Sequence, residues 1–417
     1  MKSASDPIDG LVSLVREGKI ALVTIDNPPV NATSHAVRSG LVAAAEEIDR
    51  DPAIQAVVLI CAGRTFIAGA DITEFNKPPV EPILSDVIPR LEQSSKVWIA
   101  AIHGTALGGG LEVALGCHYR LAVATAKFGF PEVNLGLIPG AGGTVRLPRL
   151  IATRPAMEMI STGKIINAED ALAWGLLDKI IPDEPEITLR EQALAFAKAL
   201  LKKNLPLPLS QRPASAPLAA GDLESLKRQI TEKKAGQLAP VEALAAVQEA
   251  TTLSAAEALL SERERFNRLK QGEQSKALRY IFFAEKALFK QLKPTGISDL
   301  SEGNSFLHDG LLGQRLMAAY NRELRSIKDD IPEFANPSQS EQKDFGLLAD
   351  LMVREATDTT DETRQMIITR LLLTLQSEGQ KLVTETPDLT NESIDAVLVS
   401  CFAFPRWRGG PMYLQQK

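Results

Sequence analysis

Two acidic residues lie in a part of the chain that is otherwise small and apolar. Glu112 follows three consecutive glycines in ALGGGLEVALG, and Glu132 follows a proline in FGFPEVNLG. An acid near the start of a helix often only complements the helix dipole, so either glutamate alone is weak evidence of function. Two carboxylates on different local elements can converge in space, where one donates a proton and the other accepts one. Glu112 and Glu132 are therefore candidates for paired acid and base chemistry.

Two turns built from small residues lie near these acids in the sequence. The first is in GRTFIAGAD, residues 63–71, which turns around Ala68, Gly69 and Ala70. The second is in HGTALGGGLE, residues 103–112, whose glycines open a predicted helix. Small residues let a ligand approach the backbone closely, and the unpaired N–H groups of a helix start favour negative charge. Two such turns facing one point would form an oxyanion hole from backbone donors.

The elements that must position these residues alternate between strands and helices from residue 1 to about residue 200. Short apolar segments rich in valine and isoleucine predict buried strands. Residues 35–50 carry alanine, glutamate and arginine on the outer positions of a helical pattern. This alternation predicts an α/β domain. The predicted strands are KIALVTID (19–26), QAVVLICA (55–62), VWIAAIH (97–103) and YRLAVAT (119–125).

The rest of the chain has a different pattern. Residues 201–240 are rich in proline, alanine and serine, which is typical of a connector. An amphipathic helical pattern follows from Val241 to Lys290, and the segment after it also has helical periodicity. We therefore predict three parts: an α/β domain over residues 1–200, a connector and long linker helix over residues 201–295, and a mainly α-helical region over residues 296–417.

Composition and charge argue against several classes of protein. The chain has 417 residues, of which 45% are hydrophobic and 24% charged, and these are ordinary values for a globular protein. A net charge of −6 argues against a nucleic-acid or anionic-membrane partner, because either needs a clustered basic surface. The three cysteines have no paired spacing, and no apolar run reaches the ~18 residues of a membrane helix. With no apolar signal core at the start, we expect a soluble cytoplasmic protein.

The motifs, taken in this order and spacing, resemble the crotonase or enoyl-CoA hydratase/isomerase superfamily. The resemblance covers nearly all of residues 10–200. It implies a core of repeated ββα units and substrates that are thioesters of coenzyme A. The segments that carry it are NPPVNA (27–32), FIAGADITEF (66–75), IHGTALGGGLEVALGCHYRLA (102–122) and KFGFPEVNLGLIPGAGGTVRLPRLI (127–151).

The resemblance implies roles for individual residues. Glu112 and Glu132 match the two family glutamates that hold and activate water and exchange a proton with the α-carbon. The backbone N–H groups of Ala68 and Gly109 would bind the thioester oxygen. Because both acids are present, the resemblance favours hydration of trans-2-enoyl-CoA to 3-hydroxyacyl-CoA, a reaction that needs no metal.

Two residues of the first turn are candidate CoA-binding residues, Ala70 and Asp71. Asp71 also has a simpler interpretation as a turn or cap residue. Two alternatives to the hydratase remain open. One is an enoyl-CoA isomerase, and the other is a non-catalytic protein that binds acyl-CoA or acts as a scaffold.

The second half of the chain resembles parts of the multifunctional β-oxidation enzymes of bacteria and peroxisomes. Residues 261–286 are similar to their linker helix, and residues 401–413 are similar to the signature of their last helical domain. In those enzymes a dehydrogenase with its own dinucleotide-binding domain lies between these two segments. Here no such domain intervenes, and no G-x-G-x-x-G fingerprint occurs in the 417 residues. We therefore expect no dehydrogenase activity and no NAD. A homo-oligomer or an association with β-oxidation enzymes is left open.

The helix near residues 261–290 carries apolar residues within a charged sequence, so it needs a partner surface. We expect it to pack against the first domain and to close the acyl pocket. The alternative is a helix that serves only the C-terminal half of the chain. The apolar residues in question are Phe266, Leu269, Leu278, Phe282 and Phe283.

Overall fold

The computed structural model describes residues 6–7, 10–182, 188–292, 311–331, 346–355, 361–387 and 389–416. The chain divides into two compact units. The first comprises residues 1–230 and 239–270, and the second comprises residues 231–238 and 271–417.

The first unit contains two sheets. Their strands are β1 (Asp6–Pro7), β2 (Val12–Glu17), β3 (Ile20–Ile25), β4 (Ala56–Cys61), β5 (Val97–Ile102), β6 (Thr105–Leu107), β7 (Tyr119–Val123), β8 (Lys127–Gly129), β9 (Ile165–Asn167) and β10 (Lys179–Ile181). The large sheet has the order β1-β2-β3-β4-β5-β7-β10, and the small sheet has the order β6-β8-β9. Each of the four strands predicted from the sequence is present.

The chain passes from the large sheet to the small sheet twice in succession. Strand β5 in the large sheet leads into β6 in the small sheet, and β7 leads into β8 in the same way. The pairs β3–β4, β4–β5, β5–β7 and β6–β8 are all parallel. A helix follows directly after β6, which completes a ββα unit. The expected α/β crotonase-like fold is therefore confirmed.

The central strands of the large sheet are buried on both faces, as their continuous apolar sequences predict. In β4, Val57 and Leu59 point into the main core, whereas Ala56 and Val58 point into a smaller core on the opposite face. The helix Leu189–Leu200 contacts the sheet on that opposite side. Each buried valine or leucine contributes about 1.5–3 kcal/mol to the free energy of unfolding, so this two-sided burial fixes the sheet.

Helices account for most of the rest of the described chain. In the first unit they are α1 (His35–Arg50), α2 (Leu84–Glu92), α3 (Gly109–Gly116), α4 (Gly143–Arg146), α5 (Thr153–Thr162), α6 (Ala168–Ala173), α7 (Leu189–Leu200), α8 (Ala220–Lys233, which ends in the second unit), α9 (Ala239–Ala250) and α10 (Ala255–Gln271). In the second unit they are α11 (Glu273–Leu292), α12 (Leu311–Asp330), α13 (Gly346–Glu355), α14 (Glu362–Glu385), α15 (Asn391–Cys401) and α16 (Pro411–Gln415). No helix in the described ranges is long and apolar enough to cross a membrane.

The first unit does not end near residue 200, so the predicted boundary there is wrong. The predicted connector contains α8, and the apolar residues of α8, α9 and α10 are buried in the same core as strands β3 to β5. Their spacing of three or four residues explains this, because it places them along one face of each helix. The residues that complete the core are Leu226, Ile230, Leu244, Val247 and Leu269.

The predicted long linker helix is three separate helices. Ser254 caps the start of α10, and its hydroxyl donates to the Glu257 carboxylate at 2.6 Å. Gly272 separates α10 from α11. The apolar series divides at this point, because Phe266 and Leu269 belong to the first unit and Leu278 belongs to the second. The expected packing against the first domain is thus confirmed for α10 alone, whereas α11 belongs to the second unit.

The second unit has its own apolar core, formed by helices α11 to α16. The expected helical character of residues 296–417 is confirmed for the described stretches. The predicted boundary at residue 295 is wrong, because α11 already belongs to the second unit, whose second segment begins at Gln271. Buried members of this core include Ile281, Leu316, Leu348, Leu371 and Ile394.

Candidate active site

The site begins at the junction of β6 and α3, where the chain runs very close to a neighbouring segment. A Cβ atom on Gly110 would lie 2.2 Å from the carbonyl oxygen of Ile67, so only glycine fits there. Gly108, which precedes α3, has a φ of +51°, a conformation that favours glycine. The glycine run therefore lets α3 begin against the segment around Ile67. This start places Glu112 in the first turn of α3.

Glu112 is buried, and its carboxylate is held by two backbone donors. The N–H of Ala141 donates to Oε1 at 2.7 Å, and the N–H of Gly143 donates to the same oxygen at 2.9 Å. Only 4% of the residue is exposed. The predicted acid is therefore an internal group with one oxygen fixed by the loop that precedes α4.

Glu132 lies in the short 3-10 helix Pro131–Leu135, which follows β8. Its carboxylate lies against Gly108, because a Cβ atom on that glycine would be 2.7 Å from Oε1. The two carboxyl groups are close enough for the charge of Glu112 to raise the pKa of Glu132. Within the described part of the chain, Oε2 of Glu132 is buried and has no hydrogen-bond partner. An unpaired buried carboxylate oxygen is costly and is available for a water molecule or a substrate.

Burial raises the pKa of both carboxyl groups, but their surroundings differ. The two N–H donors and the positive charges of Arg146 and Arg263 oppose the rise in the pKa of Glu112. Burial and the charge of Glu112 together hold the pKa of Glu132 well above its ordinary value, and Glu262 adds to this effect. Two carboxyls that share a site titrate as a pair. In this pair Glu132 is the group that holds a proton more readily.

Two free backbone donors lie next to the glutamates. The N–H groups of Ala70 and Gly109 have no hydrogen-bond partner among the described residues. They are neighbours, since the Ala70 nitrogen is 3.5 Å from the position of a Cβ atom on Gly109. Ala70 is held in place by a parallel bridge to Thr33, whose N–H donates to the Gly69 carbonyl at 3.1 Å. The two N–H groups are therefore candidates for binding a carbonyl oxygen.

The expected donor role of Ala68 is wrong. Its N–H donates to the Val30 carbonyl at 3.1 Å, so it is already used within the fold. Gly69 has a φ of +106°, which turns the chain between Ala68 and Ala70. The available N–H therefore belongs to Ala70, which the sequence suggested only as a CoA-binding residue.

Asp71 has the capping role that was its simpler interpretation. Its carboxylate accepts from the Thr73 N–H at 3.0 Å and from the Thr73 hydroxyl at 2.7 Å. These bonds fix the start of the 3-10 helix Ile72–Glu74. A contact between Asp71 and coenzyme A stays a prediction.

A third buried carboxylate stands beside the pair, and sequence reasoning did not identify it. Glu262 of α10 is 2% exposed and accepts hydrogen bonds from Gly142 and Thr144. Burial and the charge of Glu112 raise the pKa of Glu262 to about 8, against the opposing effect of these bonds. The sequence spacing could have identified Glu262 as a buried acid, because it lies four residues before Phe266 and seven before Leu269. This spacing places the acid on the buried face of the helix.

The loop between Leu137 and α4 is held on its other side by a buried ion pair. Arg146 donates from Nη2 to the Glu92 carboxylate at 2.7 Å, and both side chains are 2% exposed. Nη1 of the same arginine donates to the Ala141 carbonyl at 3.1 Å. A buried pair with additional bonds to the backbone gives a fixed geometry. The backbone donors to Glu112 are thereby held in place.

Comparison with known proteins gives matches over the first part of the chain. Residues 15–212 match the family described as Enoyl-CoA hydratase/isomerase. A peroxisomal bifunctional enzyme from Cavia porcellus is 39% identical over 288 residues, which are 67% of this chain and 39% of the relative. The chain thus spans about two fifths of the length of that relative.

Two shorter relatives are covered more completely. A probable enoyl-CoA hydratase from Bacillus subtilis (strain 168) is 41% identical over 191 residues, which are 44% of this chain and 74% of the relative. A solved enoyl-CoA hydratase subunit from Geobacillus kaustophilus HTA426 is 32% identical, with a TM-score of 0.43, and the match covers 66% of this chain and 95% of that one. Because the chain covers 74% of the Bacillus subtilis relative at 41% identity, it belongs to the enoyl-CoA hydratase/isomerase family.

Proposed function

We propose that the chain catalyses the hydration of trans-2-enoyl-CoA to 3-hydroxyacyl-CoA. One observation carries the proposal: Glu112 is fixed by two N–H donors, and beside it Glu132 has a buried carboxylate oxygen with no partner in the described structure. A hydratase needs two acids in different protonation states, and these surroundings separate them. The free N–H groups of Ala70 and Gly109 provide the third element of the reaction.

The thioester oxygen of the substrate accepts hydrogen bonds from the N–H groups of Ala70 and Gly109 in this mechanism. These donors stabilise the negative charge that develops on the oxygen, and polarisation of the carbonyl makes C3 of the enoyl group electrophilic. The same charge distribution makes C2 basic in the enolate-like transition state. Ala70 thus takes the role that the sequence gave to Ala68.

The two glutamates handle the proton transfers. A water molecule between them adds its oxygen to C3, and its proton passes to the ionised Glu112 carboxylate. The protonated Glu132 carboxyl gives its proton to C2, so that one molecule of water is added across the double bond. A proton then returns from Glu112 to Glu132, which restores the resting state. The raised pKa of Glu132 supports its assignment as the acid.

An enoyl-CoA isomerase and a non-catalytic acyl-CoA-binding protein are the alternatives. Incubation with trans-2-enoyl-CoA and with 3-enoyl-CoA, followed by analysis of the products, separates all three functions. A hydratase forms 3-hydroxyacyl-CoA directly from the 2-enoyl substrate. An isomerase forms 2-enoyl-CoA from the 3-enoyl substrate without hydrating it, and a binding protein converts neither.

We also propose that the reaction needs no NAD and no metal, because acid and base groups and backbone donors supply its chemistry. Addition of NAD to the same assay should produce no NADH from 3-hydroxyacyl-CoA. The cytoplasmic location stays a prediction. Relatives named peroxisomal or glyoxysomal provide a reason to test it by fluorescence microscopy of the tagged protein. A homo-oligomer, an association with β-oxidation enzymes and closure of the acyl pocket by the α10 region also stay predictions.

A further inference from the structure

We propose that Glu262 is a positioning residue for the catalytic pair, because it clamps the loop that holds the Glu112 carboxylate. The inference rests on the proposed function and extends it to α10, which follows the segment matched by the family. Glu262 makes its hydrogen bonds to the site through residues 141–144, and its charge also raises the pKa of Glu132. The proposal concerns the first of these effects, the geometry of the loop.

Four consecutive backbone N–H groups are divided alternately between two buried carboxylates. Ala141 and Gly143 donate to Glu112. Gly142 donates to Oε1 of Glu262 at 2.6 Å, and Thr144 donates to Oε2 at 2.9 Å. Because the donors alternate along one short segment, neither set can move without the other. The position of the Glu112 oxygen is thus determined in part by Glu262.

Other contacts hold the same segment to α10. The Thr144 hydroxyl donates to Oε2 of Glu262 at 2.6 Å, and Arg263 donates to the Gly140 carbonyl at 3.4 Å. Phe266 packs against the backbone at Gly140, where a Cβ atom would lie 2.6 Å from its ring. One face of α10 therefore binds the loop through Glu262, Arg263 and Phe266, which lie within about one turn of the helix. Glu262 is the residue on that face that pairs with the backbone N–H groups.

Glu262→Gln is the sharpest variant, because it keeps the size of the side chain and replaces one oxygen by a donor. In either orientation of the amide, the new NH₂ group meets a backbone N–H, of Gly142 or of Thr144. One donor therefore loses its partner, and the loop must shift to satisfy it. Glu264→Gln is the matched control, since Glu264 lies on the same helix with an exposed side chain.

The experiment measures kcat and KM for a trans-2-enoyl-CoA, together with backbone amide shifts by TROSY NMR. For Glu262→Gln we expect kcat to fall by roughly 10- to 100-fold, the effect of a small misplacement of a catalytic group, with KM within about two-fold. The amide signals of Ala141 and Gly143 should move along with those of Gly142 and Thr144. In the Glu112→Gln background, Glu262→Gln should lower kcat by less than about two-fold, because it acts through Glu112.

Unchanged kcat in folded Glu262→Gln, or a full additional loss in the Glu112→Gln background, would overturn the proposal. So would amide changes confined to Gly142 and Thr144. If Glu262→Gln does not fold, Thr144→Ala replaces it, since this variant removes one of the three bonds, and unchanged kcat and amide signals would count against the clamp. If the wild-type protein shows no turnover, the proposed function fails, and the amide shifts still decide whether Glu262 positions the loop.

Discussion

Both units of the molecule contain a buried acid with a raised pKa, but only one of these acids has an unused oxygen. In the second unit, Asp395 accepts from the Met412 N–H at 2.9 Å, the Tyr413 N–H at 2.8 Å and the Tyr280 hydroxyl at 3.0 Å. In the first unit, Oε2 of Glu132 has no partner among the described residues. Burial raises the pKa of Asp395 to about 7 and raises that of Glu132 as well.

This difference separates an acid satisfied within the fold from the acid that we propose to be catalytic. The bonds to Asp395 hold the start of α16 and satisfy both of its oxygens, so the cost of burying this carboxyl is offset within the fold. Glu132 is buried without that compensation. A raised pKa alone therefore does not distinguish the two acids, and our proposal of a catalytic role for Glu132 depends on its unsatisfied oxygen beside two free N–H donors.

The largest effect, on the free energy of unfolding, is expected from shortening the first unit. Truncation after residue 200 removes five large apolar side chains of α8, α9 and α10 from the core, and each contributes about 1.5–3 kcal/mol. This loss is comparable to the whole stability of a typical domain, about 5–15 kcal/mol. We expect the 1–200 fragment to be unfolded by circular dichroism and the 1–270 fragment to be folded. A folded 1–200 fragment with the activity of the full chain would contradict the placement of α8 to α10 in this core.

Glu132→Gln and Asp395→Asn should have opposite effects. The first should lower kcat without lowering stability, and the second should lower stability without changing kcat. Removal of the proton donor should lower kcat by about 10²–10⁴-fold. The melting temperature should not fall, because the variant breaks no hydrogen bond of Oε2 and removes an ionisable group from a buried site. Stopped-flow or absorbance assays with 2-enoyl-CoA and a thermal melt measure both effects. A kcat close to that of the wild type would remove Glu132 from the mechanism.

The next largest effect on kcat is expected when a proposed oxyanion donor, the N–H of Gly109, is removed. Gly109→Pro removes the N–H at the first position of α3, where proline is otherwise tolerated, and should lower kcat by about 10²–10³-fold. Gly109→Ala is the control, since it keeps the N–H, and its Cβ atom would lie 2.8 Å from the flexible end of Leu84 and 3.5 Å from the Ala70 nitrogen. We expect the alanine variant to retain clearly more activity than the proline variant. Equal rates in a folded proline variant and the alanine variant would exclude the Gly109 N–H as an oxyanion donor.

The smallest effect on catalysis is expected for Asp395→Asn, which should change stability instead. Its NH₂ group faces a backbone N–H, so the second unit should lose about 1–3 kcal/mol of unfolding free energy while kcat is unchanged. Because the folded pKa of Asp395 is raised from 3.8 to about 7, its contribution to stability is complete below about pH 3.8 and is lost as the pH rises through 7. The stability difference between wild type and variant should shrink over this range. A difference that is constant with pH would contradict the raised pKa.

Much of the α/β fold could be predicted from the sequence, because local patterns determine it. The strands are continuous apolar segments, and helix α1 matches the predicted residues 35–50. The glycine run before Glu112 could be interpreted correctly, since a close backbone approach requires glycine at Gly110 whatever lies beyond it. Glu112 and Glu132 were also identified, because charge in apolar sequence is a local signal.

The parts that were missed depend on contacts between distant residues. Glu262 bonds to a loop about 120 residues earlier in the chain, and its local sequence SERERF is typical of an exposed charged helix. The choice between Ala68 and Ala70 depends on the positive φ of Gly69, which sequence spacing does not reveal. The end of the first unit could not be predicted because the sequence does not show which core the apolar faces of α8 to α10 join. In each case the tertiary structure, and not the local pattern, decides the outcome.

The most direct test of the central claim is the reaction of the wild-type protein with trans-2-enoyl-CoA in ¹⁸O-labelled water, followed by mass spectrometry. The mechanism predicts 3-hydroxyacyl-CoA with one ¹⁸O atom on C3, formed at a rate that Glu112→Gln and Glu132→Gln each lower by about 10²–10⁴-fold. Substrate that remains unhydrated by the wild type, or labelled product formed by both variants as fast as by the wild type, would contradict the assignment of the two buried glutamates.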